Sequence, residues 1–208
     1  MSPKRAAGKS LYSVHPGVAI VQRWVAELKE KTGRSLEGWL ALVKKEGPAT
    51  EADRRDWLKK KHGLGTNSAW WIAERADGKG TEEDSPEAYL AAAEEWVDGM
   101  FSGPRAALRP VYEQLLKVAF TLGKDVKACP GKTIVALYRN HVFAQIKPAT
   151  NTRIDLGLAL SDMKTPKRLI DTGGYEKKDR ITRRIEVKAT APKRWDECRA
   201  IPASRGDR

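Results

Sequence analysis

The sequence predicts an α+β protein with a small all-helical N-terminal domain and a C-terminal domain that holds a four-stranded antiparallel meander flanked by helices. Apolar residues recur every three or four positions through the first half, which is typical of amphipathic helices. From residue 132 the period changes to two, which indicates strands. Six of the seven tryptophans precede residue 103, and such large rings fill the core of a small helical domain efficiently.

Four short helices are predicted in the N-terminal half, and glycines mark where the helical spacing stops. These glycines are Gly33, Gly47 and Gly63, and the polar connector DGKGTEED follows the fourth helix. Ser35 is expected to cap the second helix, and Thr50 followed by Asp53 resembles a capping box for the third. A fifth, amphipathic helix begins with Ser85 as its cap and Pro86 in its first turn.

The C-terminal half is predicted to contain one more helix and then the meander. The four strands are expected over residues 132–139, 142–147, 152–160 and 181–187, and loops short enough for hairpins join the first three. In the third strand Ile154 and Leu156 alternate with Arg153 and Asp155, so one sheet face is apolar and the other polar. We expect helices to cover the apolar face only, including a short last helix from Pro192 past Trp195.

The chain divides into five segments by composition. We expect a flexible basic tail over 1–13, a Trp-rich helical domain over 14–77, an acidic linker with an amphipathic helix over 78–103, a basic α+β domain over 104–201 and a tail over 202–208. No stretch approaches the ~20 apolar residues that cross a bilayer, and the basic start lacks the apolar run of a signal peptide. These features predict a cytoplasmic protein that does not contact membranes.

Cysteine and histidine usage indicates neither metal nor cofactor chemistry. Cys129 and Cys198 lack CxxC spacing, and the three histidines are scattered. A disulfide framework or a zinc site needs closer or more regular spacing. We therefore predict free structural thiols, no metal and no cofactor, and the pattern leaves the oligomeric state open.

The positive charge is confined to the second half of the chain. The net charge is +12, with 16 Lys and Arg against 16 Asp and Glu in residues 1–103 but 23 against 11 in residues 104–208. A field concentrated on one domain attracts polyanions. We predict that the C-terminal sheet binds nucleic acid, DNA or RNA, through cations on its polar face and loops. The predicted contacts are Lys132, Arg139, Lys147, Arg153, Lys167, Arg168, Arg184 and Lys188.

One other interpretation of the basic domain stays open. The cations then serve only solubility, and the protein is a protein-interaction or small-ligand-binding module. Aromatic residues bear on the nucleic-acid interpretation, because Tyr138, Phe143 and Tyr175 would stack on bases if exposed. Core packing is the competing explanation and is the stronger one for Phe143.

The stretch HGLGTNSAWWI, residues 62–72, has two interpretations. It fits a helix-hairpin-helix template, in which the backbone at paired glycines approaches a phosphate. The auxiliary contacts would then be Lys59, Lys60, Gly63, Gly65 and Trp71. Two observations argue against this template. Lys61 stands where the template prefers an apolar residue, and a glycine that only ends a helix would produce the same sequence pattern. We favour the helix end, and we expect core packing to explain Trp70 more easily than Trp71.

Two longer patterns resemble bacterial domain families of unknown function. TGRSLEGWL, then WLKKKHGLG and a double tryptophan, resembles a first family. CPGKTIVALYR, IKPATNTRIDLGL and GGYE resemble a second, which is often the C-terminal module of bacterial proteins, some with nuclease-like domains. Together the two resemblances cover nearly the whole chain after residue 13. Neither implies an activity or catalytic residues.

Enzymatic activity has little support in the sequence. Asp171 followed by Glu186-Val187-Lys188 has the outline of a metal-dependent nuclease site, in which carboxylates hold a divalent cation. That spacing arises often by chance. Hydrolase and nucleotide-binding fingerprints such as Gly-x-Ser-x-Gly and the Walker loop are absent from the sequence. A non-enzymatic binding protein is therefore our prediction, with no catalytic residue assigned and a nuclease as the remote alternative.

Overall fold

The computed structural model describes residues 10–160, 167–174, 176–177 and 179–189. They form two compact units, a helical unit of Val14–Ala92 and a sheet unit of Met1–Ser13 with Ala93–Arg208. The boundary lies after Ala92, inside a helix, and the segment over 78–103 is divided between the units rather than linking them. The predicted last helix with Trp195 and Cys198, and the tail over 202–208, lie outside the described residues.

The helices of the first half form where glycines and caps delimit them. They are α1 (Pro16–Thr32), α2 (Leu36–Glu46), α3 (Glu51–His62), α4 (Thr66–Ala76) and α5 (Pro86–Met100), with a 3-10 turn at Thr81–Glu83 before α5. The Ser35 hydroxyl accepts from the Gly38 N–H, and the Thr50 hydroxyl accepts from the Asp53 N–H. His15 supplies a cap that we did not predict, because its Nδ1 accepts from the Gly17 N–H at 2.9 Å.

One tryptophan lies in the core of the helical unit, and Trp24 and Trp57 pack against that core. Trp39 is 3% exposed and donates its indole N–H to the Thr32 hydroxyl at 2.8 Å. The expectation for the tryptophan pair was wrong, because Trp70 is 43% exposed, whereas Trp71 is half-buried with its ring 4.9 Å from that of Trp24. The buried face of α4 is formed by Ala69, Ile72 and Ala73, and Trp70 lies one position off this stripe.

The second half is α+β, but its sheet has six strands rather than four. A 3-10 turn (Gly103–Leu108) and α6 (Arg109–Thr121) precede β1 (Lys127–Pro130), β2 (Val135–Tyr138), β3 (Val142–Pro148), β4 (Arg153–Leu158), β5 (Ile170–Asp171) and β6 (Arg183–Lys188). The strand order is β1-β2-β3-β4-β6-β5, and every neighbouring pair is antiparallel. We missed β5 because a strand of two residues is too short to show alternation. We missed β1 because its sequence, KACP, holds no β-branched or aromatic residue and ends in proline.

One face of the sheet packs against α6. Tyr112 and Leu116 from the helix share a buried core with Ile146 and Ile154 from the strands. Residues 10–13 belong to this unit rather than to a free tail, because the Ser13 N–H donates to the Ala128 carbonyl at 2.9 Å. This segment covers part of the edge of β1, and covered edges resist unwanted strand pairing.

None of the helices in the described residues is long and apolar enough to span a membrane.

Candidate nucleic-acid interface

The outer face of the sheet is the face that points away from α6. Ile146 and Ile154 are fully buried in the core, so their neighbours along each strand point to the opposite side. Lys147, Asp155 and Glu186 stand level on β3, β4 and β6, and the next level pairs Arg153 with Lys188. The predicted contact residues Lys147, Arg153, Arg184 and Lys188 therefore share this face.

Two arginines and two carboxylates on the outer face form one ion-pair network. Arg153 contacts Asp155 through Nε at 2.9 Å and Glu186 through Nη1 at 3.0 Å. Arg184 contacts the same two carboxylates, at 2.7 Å and 3.3 Å. The Asp155 side chain is only 17% exposed, and those of the other three are 28–32% exposed. The network is neutral overall, and it joins β4 to β6.

The network changes which cations of this face can bind a ligand. Arg153 and Arg184 are each paired with both carboxylates, so neither presents an uncompensated charge. Lys147 and Lys188 are exposed, and within the described part of the chain neither forms an ion pair. These two residues, the lysine pair, carry the free positive charge at this end of the outer face.

The remaining predicted contacts lie in loops. Lys132 is exposed in the β1–β2 turn, at the same end of the sheet as Lys147. Lys167 and Arg168 are exposed and precede the edge strand β5. Arg139 lies in the β2–β3 turn at the opposite end of the sheet, where it donates to the Leu122 carbonyl and faces Asp125 at 3.4 Å. The structure thus separates Arg139 from the other predicted contacts.

The described aromatic side chains of the sheet are only partly accessible. Tyr138 and Phe143 are half-buried, and Phe143 packs against the core. The exposed large apolar side chains of the described residues are Leu11, Ile20, Trp70, Leu122 and Ile170, so no ring of the described sheet is among them. Tyr175 lies outside the described residues. Ile181 lies close to Gly157 on the outer face and covers it there.

The outline of a nuclease site does not converge. Asp171 on β5 pairs with Arg183 at 2.9 Å. Because Arg183 and Glu186 are three residues apart on β6, their side chains point to opposite faces of the sheet. Asp171 is on the same face as its partner Arg183. Asp171 and Glu186 therefore cannot share a cation. Among the described residues, no group of three His, Cys, Asp or Glu side chains could hold a metal ion.

Comparison with known families agrees with the division into two domains. Residues 21–78 match the model of a domain of unknown function, DUF4287, and residues 97–196 match that of a second, DUF5655. The chain is thus similar to DUF4287 over its first part and to DUF5655 over its second. The first match lies within the helical unit and the second within the sheet unit, which confirms both resemblances. No curated protein and no solved structure matches the chain.

The HGLG stretch of the helical unit forms a helix end. Gly63 is left-handed, with φ +67°, and its N–H donates to the Lys59 carbonyl at 3.1 Å while the Leu64 N–H donates to that of Leu58 at 3.2 Å. This is the pattern of a Schellman C-cap. Lys59 and Lys60 both lie near the Asp56 carboxylate, at 2.8 Å and 3.7 Å. Gly63 therefore ends α3, and Trp71 is half-buried.

Matched glycine variants separate the two interpretations of this stretch. Gly63→Ala is expected to destabilise the helical unit by about 1 kcal/mol, because an L-residue is strained at positive φ. Gly65→Ala is expected to cost less, about 0.5 kcal/mol, because alanine is a poorer N-cap of α4 than glycine but is not strained at φ −64°, and an added Cβ would meet nothing within 4 Å. Thermal denaturation followed by circular dichroism measures both. Equal destabilisation by the two variants would contradict the helix-end interpretation.

Two histidines make the helical unit sensitive to acid. Burial lowers the pKa of His15 and of His62 from 6.5. The His62 ring lies 5.4 Å from that of Trp39 and 4.4 Å from that of Trp57, and its Nε2 is buried with no hydrogen-bond partner among the described residues. Since the folded unit holds both imidazoles neutral and the unfolded chain protonates them first, stability is full above pH 6.5 and declines as pH falls below it.

We expect a lower melting temperature of the helical unit at about pH 5 than at about pH 7, as measured by tryptophan fluorescence. The double variant His15→Asn, His62→Phe keeps a capping side chain and a ring, and it should lose most of this dependence. His141→Gln, in an exposed turn of the sheet unit, is the control and should keep it. An unchanged pH dependence in the double variant would refute the assignment.

Proposed function

We propose that the protein is a non-enzymatic nucleic-acid-binding protein, and that its DUF5655 domain contacts the phosphate backbone through the outer face of the sheet. The observation that carries the proposal is the lysine pair. Lys147 and Lys188 lie on one face of a domain with 23 cations against 11 carboxylates in residues 104–208. A surface with free cations at fixed positions releases counterions when it meets a polyphosphate.

The ion-pair network gives the lysine pair a rigid base. Half-buried ion pairs that share partners hold their strands in register more firmly than isolated surface pairs do. Lysine contributes a compact point charge, which binds a phosphate without the paired-donor geometry that arginine requires. Lys132, Lys167 and Arg168 would extend the contact from the loops.

The cytoplasm is the location that we propose for this function. Cys129 is a buried thiol, and burial raises its pKa to about 11. Such a thiol stays protonated and unreactive, as suits a reducing compartment.

Salt-dependent binding tests the proposal. The full chain is titrated against a fluorescein-labelled 24-bp DNA duplex by fluorescence anisotropy between about 50 and 200 mM salt. We expect binding that weakens as salt rises. In the double variant Lys147→Ala, Lys188→Ala, the magnitude of the negative slope of log K against log salt should be smaller by roughly 1 to 2. The control, Lys29→Ala, Lys44→Ala, removes the same charge from two exposed helix positions. Absence of binding, or equal loss in both double variants, would overturn the proposal.

Protein interaction through the helical unit is the second candidate function. Trp70 is 43% exposed, and the guanidinium of Arg55 lies 5.5 Å from the centre of its ring. Tryptophan and arginine are the residue types that most often dominate protein interfaces. The two candidates concern different units, so one does not exclude the other.

A further inference from the structure

We infer that the outer face binds double-stranded nucleic acid in preference to single strands and does so without reading sequence. The inference rests on the proposed function and names its substrate class. Two independent features carry it. In its described part the outer face has neither exposed aromatic rings nor arginines outside the ion-pair network, and the lysine pair has a particular spacing.

The outer face offers single strands little to stack on. Proteins that bind single strands gain much of their affinity by stacking bases on aromatic rings or on arginine planes. Within the described residues, Phe143 packs against the core, Tyr138 is half-buried, and no sheet ring is among the exposed large apolar side chains. The arginines Arg153 and Arg184 are held by Asp155 and Glu186. Unpaired bases would therefore gain little here.

The same pairing removes the means of base recognition. Arginine reads guanine through two parallel N–H donors, which must be free to point at the base edge. In the network Arg184 donates to Asp155 at 2.7 Å, and the other three ion-pair contacts of the two guanidinium groups place their nitrogens 2.9 Å to 3.3 Å from a carboxylate oxygen. Only the lysine pair then remains to contact a ligand, and a lysine that contacts phosphate does not distinguish one base sequence from another.

The lysine pair is spaced for two backbones. Lys147 on β3 is level with Glu186 on β6, two strands away, and Lys188 is two residues further along. With strands about 4.8 Å apart and a rise of about 3.4 Å per residue, the two lysine Cα atoms are about 12 Å apart. This is about the width of a duplex major groove. A duplex presents its phosphates at such a fixed spacing, whereas a single strand loses conformational entropy to adopt it.

A comparison of the affinities for different nucleic acids tests the inference. The full chain is titrated at about 100 mM salt against two 24-bp DNA duplexes of unrelated sequence, a 24-bp RNA duplex and the separate strands. We expect at least about 5-fold tighter binding to a duplex than to its strands, with the two DNA sequences equal within about 2-fold. The RNA arm tells which duplex is preferred.

Each other outcome has a defined meaning. Single strands that bind as tightly as duplexes, or DNA sequences that differ more than about 10-fold, would overturn the inference and leave the proposed function standing. Absence of binding to every probe would overturn the proposed function and the inference with it. If single strands bind more tightly and Trp70→Ala abolishes that preference, the helical unit supplies the stacking and the assignment to the outer face is refuted.

Discussion

Gly174→Ala is expected to destabilise the sheet unit by about 2 to 3 kcal/mol, because a methyl group does not fit where the β5–β6 loop crosses itself. Gly174 is buried, and a Cβ there would overlap the carbonyl oxygen of Ile181 and lie 3.0 Å from the Cα of Thr182. These are backbone atoms, which cannot move aside as the end of a flexible side chain can. The loop must therefore shift as a whole.

The shift would reach the outer face. The Ile181 carbonyl accepts from the Thr172 hydroxyl at 2.6 Å, and the Thr182 carbonyl accepts from the Thr172 N–H at 3.1 Å. The Ile181 side chain in turn lies against Gly157 of β4. We therefore expect faster hydrogen exchange in peptides that span β5 and the start of β6, measured by mass spectrometry of the intact chain.

Gly99→Ala is the matched control. Gly99 is an exposed glycine of α5, and an added Cβ would meet nothing within 4 Å. Alanine at an exposed helix position should keep or raise stability by up to about 1 kcal/mol. Equal stability of Gly174→Ala and the native protein would contradict the prediction, because it would show that the loop accommodates a methyl group at this position.

The helices were predictable because their ends are encoded locally. Ser35, Thr50 and Gly63 define helix ends through hydrogen bonds within a few residues of themselves, so the letters alone carry the signal. The strands β1 and β5 have no such signal. They exist because β2 and β6 offer them a pairing edge, and that pairing depends on the folded chain. Trp70 was misplaced for a related reason, since only packing decides where the buried stripe of a short helix ends.

The candidate interface was predictable in its charge but not in its pairing. Alternation correctly placed Arg153 on the outer face, yet the same alternation places Asp155 beside it. Opposite charges two residues apart on a strand share a face, and Arg184 with Glu186 repeats the pattern. This was the available signal for the ion-pair network. The pairing register of β4 and β6 brings Arg153 and Asp155 beside Arg184 and Glu186. This register is a property of the folded chain and does not show in the local sequence.

Asp155→Ala is expected to lower the stability of the sheet unit by about 2 kcal/mol, between the cost of breaking a buried ion pair and that of an exposed one. Both arginines of the network contact this carboxylate, and its side chain is 17% exposed. Without it, Arg153 and Arg184 share Glu186 alone, and one partly buried positive charge is left uncompensated. Chemical denaturation of the intact chain, with hydrogen exchange to assign the loss to β4 and β6, measures the effect.

The same variant should bind nucleic acid more tightly, which separates a structural role of the arginines from a contact role. Removing Asp155 frees guanidinium groups beside the lysine pair, so duplex affinity and its salt dependence should both rise. Asp125→Ala is the control, because it removes one carboxylate that is 66% exposed and faces Arg139 at the opposite end of the sheet. It should change stability and affinity little. A fall in duplex affinity in Asp155→Ala that exceeds its loss of folded protein would mean that the ordered arginines themselves contact phosphate, so that the network is part of the binding surface and not only its base.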